Sequence, residues 1–148
     1  MCLVVEKSFK AEKPLKVYKV LERLGGGNYQ TPYRHCHVSP KIVRGKEYFE
    51  AEGFQFRPDI KFAEEGFIHC YKDLKTTSDE WFNYYASSYF KQWYKKEFDV
   101  FEVEVPVGVD YFVGYCEGLK GVAARKIRFV RRVDEKELEE YKQKVNYH

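Results

Sequence analysis

The sequence predicts an α+β protein: a compact, mostly antiparallel, split sheet packed by one long aromatic helix, with a second helix at the C-terminus. Several short segments alternate apolar and polar residues and are separated by Gly or Pro, which is typical of strands and turns. One stretch in the middle carries aromatic residues at helical spacing. The length of 148 residues, 44% of them hydrophobic and 33% charged, suits a single domain over 1–148.

The first half of the chain is predicted to be an arm followed by strands and loops. Residues 1–14 are charged and end near a proline, and we predict an N-terminal arm there. Residues 15–24 alternate in character, which predicts the first strand, and the glycines at 25–27 predict a turn. Residues 31–38 are expected to be extended, because the residue before a proline avoids the helical region. The charged, glycine-containing stretch 39–65 is predicted to be loop.

The predicted aromatic helix follows a short apolar strand at residues 66–71. Thr77 and Glu80 have the spacing of a capping box, which predicts that the helix begins there. Four residues at helical spacing would then face the sheet: Phe82, Ala86, Tyr89 and Trp93.

Two strands and a helix are predicted in the last third of the chain. Residues 98–105 and 125–133 alternate apolar and charged residues, which predicts strands. The residues expected to face the core are Phe101, Val103 and Val105 in the first and Ile127, Phe129 and Val133 in the second. A strongly charged C-terminal helix is predicted over 134–148, with Asp134 and Glu137 as its capping box.

Charge argues against a nucleic-acid partner. The net charge is +3, from 26 basic and 23 acidic residues, whereas nucleic-acid binding is marked by a basic stripe or patch. The arginines of 125–133 have another explanation, because the acidic residues of 98–105 would lie opposite them if the two strands pair. We therefore expect no nucleic acid as partner.

Hydropathy and cysteine usage indicate a cytoplasmic protein. No apolar run is long enough to span a bilayer, so we expect no membrane partner, and the first residues lack the organisation of a signal peptide. The four cysteines form no CxxC pair and are expected to be reduced thiols.

Metal-binding residue types occur in two segments. These residues are His35, Cys36, His37, His69 and Cys70. Neighbours on a strand point to opposite faces, so three in a row cannot face one ion. We expect no metal and no cofactor, and keep as the alternative a zinc site that combines one residue of each segment.

Cys2 is a separate catalytic candidate. If the initiator Met is removed, the α-amine of Cys2 could act as the base for its own thiol, as in N-terminal nucleophile enzymes. The alternative is an ordinary chain terminus.

The favoured site combines residues of two strands. Tyr33 and Arg34 follow the strand that carries Lys19, while His69 and Tyr71 belong to a later strand. Arginine binds phosphate through paired hydrogen bonds, and tyrosine stacks on a base. Lys19, Tyr33, Arg34 and Tyr71 are therefore predicted to bind the ligand, and His69 to act as hydrogen-bond donor or general acid. The alternative is a histidine buried in the core and bonded to backbone.

A series of short motifs runs through the chain in order. They are Met1-Cys2-Leu3, Tyr18-Lys19, Thr31-Pro32-Tyr33, Gly66-Phe67-Ile68-His69-Cys70, Val105-Pro106-Val107-Gly108 and Ala124-Arg125-Lys126-Ile127. In these motifs the chain resembles a family of small uncharacterised proteins of bacteriophages and bacteria. The resemblance implies a phage-type accessory or counter-defence role.

The order of elements is also similar to that of ADP-ribosyltransferase-like domains, whose split sheet cradles NAD. The late acidic motif of active transferases would fall near residues 120–126, which contain no Glu. This resemblance therefore implies a nucleotide-sized cleft and no particular reaction.

Two functional hypotheses follow. The first is binding, with or without processing, of a nucleotide-derived small ligand such as a host signalling nucleotide. The second is a non-catalytic interaction module that inhibits a host protein through an aromatic surface. A deep polar cleft at His69 would favour the first, and an exposed Trp81 or Trp93 would favour the second. A homodimer is left open in both cases.

Overall fold

The computed structural model describes residues 3–26, 28–30, 48–50, 62–63, 67–82, 97–116 and 118–146. Its elements are β1 (Leu3–Lys10), β2 (Leu15–Gly25), β3 (Asn28–Gln30), β4 (Tyr48–Glu50), β5 (Phe62–Ala63), β6 (Ile68–Tyr71), α1 (Leu74–Glu80), β7 (Phe98–Val105), β8 (Asp110–Cys116), β9 (Leu119–Ala124), β10 (Lys126–Val133) and α2 (Glu135–Asn146). Neither of these two helices is long and apolar enough to cross a membrane.

The described strands form one open sheet in the order β4-β10-β7-β2-β6-β9-β8-β1-β5, with β3 paired to β2 outside this order. Each pairing among these strands is antiparallel. The predicted α+β class with a mostly antiparallel sheet is therefore confirmed.

The sheet is narrowest where β2 meets β6. β2 pairs with β7 from Leu15 to Glu22 but meets β6 at the single register pair Tyr18–Tyr71. We therefore describe two half-sheets: the first contains β2, β3, β4, β7 and β10, and the second contains β1, β5, β6, β8 and β9.

Apolar side chains are buried on both faces of the sheet. Val17 and Leu21 of β2 share a cluster with Cys70 and Val122 of the second half-sheet, so the sheet curls around this cluster. We call this side the inner face. Tyr18 and the other residues of β2 that alternate with Val17 and Leu21 lie on the opposite side, where α1 and α2 cover the first half-sheet. We call that side the helix face.

The predicted N-terminal arm is wrong, because residues 3–10 form β1. This strand pairs with β8 from Val4 to Lys10. Leu3 is 1% exposed and packs with Phe112 of β8. The sequence did not predict this strand because a bulge near its centre interrupts the alternation of side chains between the two faces.

A second bulge, in β10, places Val133 on the face of the sheet opposite to the predicted one. The three predicted core residues of β7 all lie on the inner face, as expected. On β10, Ile127 and Phe129 also lie on the inner face, but Val133 lies on the helix face. The register against β7 shifts between Phe129 and Arg131, and one extra residue moves later side chains to the other side.

The start of α1 also differs from the prediction. The N-cap is Asp73, whose Oδ1 accepts a 2.7 Å hydrogen bond from the backbone N–H of Thr76. Thr77 lies inside the helix, where its hydroxyl donates to the backbone oxygen of Asp73 at 2.7 Å. Asp caps a helix as well as Thr does, so the helix is capped at Asp73, four residues before the predicted cap.

Of the four residues predicted to face the sheet, Phe82 is partly buried and contacts the cluster beneath the helices, together with the buried Trp81. Ala86, Tyr89 and Trp93 fall outside the described residues, so the long aromatic helix stays a prediction. At the C-terminus the predicted helix is confirmed as α2, and Asp134 Oδ1 accepts a 2.8 Å hydrogen bond from the Glu137 N–H.

Candidate functional site

Three of the predicted site residues are described, and they lie at the junction of the half-sheets. β2 carries Lys19, and β6 carries His69 and Tyr71. The register pair Tyr18–Tyr71 brings the two strands together at this point. The other predicted residues, Cys2, Tyr33 and Arg34, lie outside the described residues.

Lys19 contacts the backbone of His69 and not its imidazole. Lys19 Nζ donates a 2.8 Å hydrogen bond to the His69 backbone oxygen, and both residues are buried. Because side chains alternate along a strand, Lys19 leaves the sheet on the inner face. His69 lies on the helix face, two residues before Tyr71, which shares that face with Tyr18. The ammonium and the imidazole are therefore on opposite sides of the sheet.

The helix face around His69 is packed. Tyr18 and Tyr71 contact the cluster that contains Trp81, and His69 is 7% exposed opposite Ala123 of β9. Burial, and then the charge of the Glu102 carboxylate, raises the pKa of Tyr18, so its hydroxyl stays protonated at neutral pH. Such packing is what the alternative of a buried histidine predicts.

The described cysteines do not form a metal centre. Cys70 is buried and Cys116 is partly buried, and both are free thiols. Within the described ranges, no group of three or more His, Cys, Asp or Glu side chains is placed to hold a metal ion. The other predicted metal-binding residue types, His35, Cys36 and His37, fall outside those ranges.

The basic strand β10 is balanced by acidic neighbours, and this prediction is confirmed. Arg128 Nε lies 2.6 Å from Glu104 Oε1, and Arg131 Nη2 lies 3.4 Å from Glu102 Oε1, both across the β7–β10 pairing. Arg131 also donates two 2.8 Å hydrogen bonds to Glu137 of α2. These guanidinium groups are therefore engaged within the fold.

A buried carboxylate, Asp99 of β7, has partners from three other strands. It accepts hydrogen bonds from Arg23 at 2.7 and 3.0 Å and from the Tyr29 hydroxyl at 2.6 Å, and Arg132 Nε lies 3.5 Å away. Burial alone would raise the pKa of Asp99, but the hydrogen bonds from Arg23 and Tyr29 outweigh it and hold that pKa below its usual value. Arg23 also donates to Glu97 at 2.9 Å. Since carboxylates engage each side of its guanidinium, this cluster stabilises the sheet and is a poor anion site.

A groove of about 360 Å³ opens on the inner face of the second half-sheet. Its lining consists of Glu6, Lys7, Phe9, Leu15, Lys72, Tyr111, Val113 and Val122. Val113 and Val122 are register partners on β8 and β9 and provide an apolar floor. The rings of Phe9 and Tyr111 stack with centroids 5.5 Å apart and planes inclined by 24°.

The bulge in β1 decides which side chains reach this groove. The register against β8 shifts at Glu6, so that Glu6 and Lys7 together lie opposite Val113, and Phe9 lies opposite Tyr111. Without the bulge, Lys7 and Phe9 would fall on the helix face. Bulges often occur where a strand must redirect a side chain beside a site.

The groove combines ring surface with cationic donors. Phe9 is 43% exposed, so one member of the stack is open to a ligand. Burial, with a smaller effect of the Glu12 carboxylate, raises the pKa of Tyr111, which keeps its hydroxyl a hydrogen-bond donor at neutral pH. Lys7 and Lys72 are exposed at the rim and form no ion pair with another described residue. A planar, anionic molecule suits this combination.

The groove residues are not among the predicted site residues, since the sequence predicts an arm over residues 1–14 and the groove depends on β1. Phe9 is flanked by polar Ser8 and Lys10, which is a weak strand signal, but Tyr111 and Val113 are separated by apolar Phe112, so alternation does not mark their face. Only the register between β1 and β8 shows that Lys7 and Phe9 share a face with Tyr111 and Val113.

Comparison of the chain with protein-family models, with curated proteins and with solved structures finds no match. The resemblances described above are therefore still predictions.

Proposed function

We propose that the protein binds a nucleotide-like small ligand in the groove on the inner face. A planar base would lie against the Phe9–Tyr111 stack, and its phosphate would meet Lys7 and Lys72. The observation that carries this proposal is the stacked ring pair beside two lysines on the rim of one groove. Capture of a host signalling nucleotide, with or without its processing, is the role that this site would serve.

The energies of the two contacts support a ligand of this class. Stacking of a base on an aromatic side chain contributes about 1–3 kcal/mol. A lysine ammonium attracts phosphate as a compact point charge, and its flexible stem adapts to the position of the anion. This groove takes the place of the Lys19–His69 site that the sequence suggested, since those two side chains leave the sheet on opposite faces.

A thermal-shift and calorimetry panel tests the proposal. Mononucleotides, nucleoside triphosphates, cyclic nucleotides and dinucleotides are each added to the full chain. At least one of them should raise the melting temperature, by about 5–10 °C at a concentration 100 times its Kd. Tyr111→Leu should weaken its binding about tenfold or more by removing a ring, and Lys72→Gln should do so by removing a charge.

Matched controls are available in the same chain. Tyr115→Leu removes an exposed ring of the same strand outside the groove lining, and Lys75→Gln removes an exposed lysine of α1. Both should bind like the wild type. The proposal fails if no nucleotide stabilises the protein, or if the controls lose as much affinity as the groove variants.

A second candidate is an interaction module that contacts a host protein through exposed apolar residues. Trp81, one of the two tryptophans expected to favour it, is 6% exposed, but Val4 and Tyr115 are 52% and 37% exposed and are register partners. A photo-crosslinking residue at position 4 tests this candidate in cells. A defined adduct that is absent with the same residue at exposed Val107 would support it, and equal labelling at both positions would oppose it.

A further inference from the structure

Glu6 is a carboxylate on the rim of a groove that otherwise carries cations and rings. In the described part of the chain it makes no ion pair with Lys7 or Lys72. A carboxylate near a bound phosphate is unfavourable, because like charges repel. If Glu6 contributes to binding in this groove, it must therefore contact a part of the ligand other than the phosphate.

The backbone gives Glu6 its position. It is the extra residue of the β1 bulge, and it lies beside Lys7 and opposite Val113. The stacked ring of Phe9 follows farther along the same strand. The carboxylate is therefore next to the proposed phosphate contact and within the same groove as the proposed base contact.

An ionised carboxylate only accepts hydrogen bonds, so its partner must be a donor. In a nucleotide, the sugar joins the base to the phosphate, and a ribose offers two neighbouring hydroxyl donors there. We infer that Glu6 accepts hydrogen bonds from the ribose hydroxyls, so that the groove selects ribonucleotides over 2′-deoxyribonucleotides. This inference rests on the proposed function.

Calorimetry with a ribonucleotide and the 2′-deoxyribonucleotide of the same base tests the inference. The wild type should bind the ribonucleotide about 10- to 100-fold more tightly, as expected for hydrogen bonds to a charged group. Glu6→Ala should reduce this ratio to about one. The same substitution should raise the affinity for the 2′-deoxyribonucleotide, because it removes a negative charge beside the phosphate.

Two further variants keep the test decisive. Glu6→Gln retains an acceptor oxygen and should keep part of the preference for ribose, and it provides the measurement if Glu6→Ala does not fold. Glu12→Ala removes an exposed carboxylate outside the groove lining and should leave the ratio unchanged.

The outcomes separate the inference from the proposed function. Equal affinity of the wild type for both sugars, or a ratio unchanged by Glu6→Ala, overturns the role of Glu6 while nucleotide binding stands. A Glu6→Ala variant that binds both sugars more tightly by the same factor shows a merely repulsive carboxylate and also overturns it. Absence of binding by either nucleotide overturns the proposed function itself.

Discussion

Arg23 donates two hydrogen bonds, of 3.0 and 2.7 Å, to the two oxygens of Asp99, which is 76 residues away in the sequence. The Asp99 side chain is 5% exposed and that of Arg23 is 40% exposed, so the pair links β2 to β7 with only its carboxylate buried. Loss of the carboxylate charge weakens the charge-assisted hydrogen bonds from Arg23, which keeps solvent and Glu97 as partners.

Asp99→Asn should therefore lower the free energy of unfolding by about 1.5–3 kcal/mol. Urea denaturation measures the loss. Glu97→Gln is the matched control, because it removes a partner of the same arginine whose side chain is 66% exposed, and it should cost no more than about 1 kcal/mol. Equal losses in the two variants would contradict the central place of Asp99.

The same carboxylate predicts a dependence of stability on pH. The folded-state pKa of Asp99 is lowered from its ordinary value of 3.8. Its contribution is therefore fully present above that value, and it is lost as the pH falls through the lower folded-state pKa. Urea denaturation from pH 6 downward should show a steep loss of stability below about pH 4 in the wild type and a smaller one in Asp99→Asn. Parallel curves would contradict this assignment.

The opposition of charge between β7 and β10 was predictable in kind, because acidic residues recur along β7 and arginines along β10. Arg128 pairs with Glu104 by simple alternation, whereas Arg131 lies opposite Glu102 because the bulge adds one residue to β10 between them. The Asp99 cluster was not predictable in this way. Its members come from four strands, and nothing local in the sequence indicates that Tyr29 and Arg132 meet at one carboxylate.

Two bulges account for the side chains whose face of the sheet the sequence did not predict. The patterns of β1 and β10 each contain one extra residue, and alternation read through that residue assigns the following side chains to the wrong face. Whether a strand bulges is decided by its neighbours in the sheet. For this reason Val133 was placed on the wrong face, and the groove residues Lys7 and Phe9 were not recognised.

We predict that the pairing of β1 with β8 requires glycine at position 114, which lies opposite Val5. A Cβ at this position would lie 1.9 Å from the backbone oxygen of Val4, so Gly114→Ala must displace β1. We expect a loss of about 3 kcal/mol or more in the free energy of unfolding. Gly118→Ala is the control: its φ of +81° disfavours a side chain, but no atom lies within 4 Å, and it should cost about 1 kcal/mol. Similar losses would show that β1 adjusts freely.

The cap of α1 distinguishes the observed helix start from the predicted one. Asp73→Ala removes the carboxylate that accepts from Thr76 and should cost about 1 kcal/mol in thermal or urea denaturation. Lys75→Ala changes an exposed residue of the same helix and should stay within about 0.5 kcal/mol of the wild type. If Asp73→Ala is neutral, the helix does not depend on this cap.

Substitution of Lys19 distinguishes a structural role of this residue from a ligand-binding role. It is 6% exposed between Val17 and Leu21 on the inner face, and its ammonium donates to the His69 backbone oxygen at 2.8 Å. This bond crosses the junction at which one register pair, Tyr18–Tyr71, joins the described strands β2 and β6. Loss of a hydrogen bond that leaves a buried group without its partner costs about 1–3 kcal/mol.

Lys19→Met keeps an unbranched apolar side chain, so little cavity is created and the missing hydrogen bond dominates the change. We expect a loss of about 1–3 kcal/mol in the free energy of unfolding, with faster amide hydrogen exchange in β6 and little change in β8. Lys16→Met, on the same strand with a side chain that is 65% exposed, should stay within about 0.5 kcal/mol of the wild type. The ligand-binding role predicts the reverse: removal of a buried charge would leave stability unchanged or higher, and nucleotide binding would be lost. That result would assign Lys19 to the ligand site. Because Lys19 does not line the inner-face groove, it would also count against that groove as the place where a nucleotide binds.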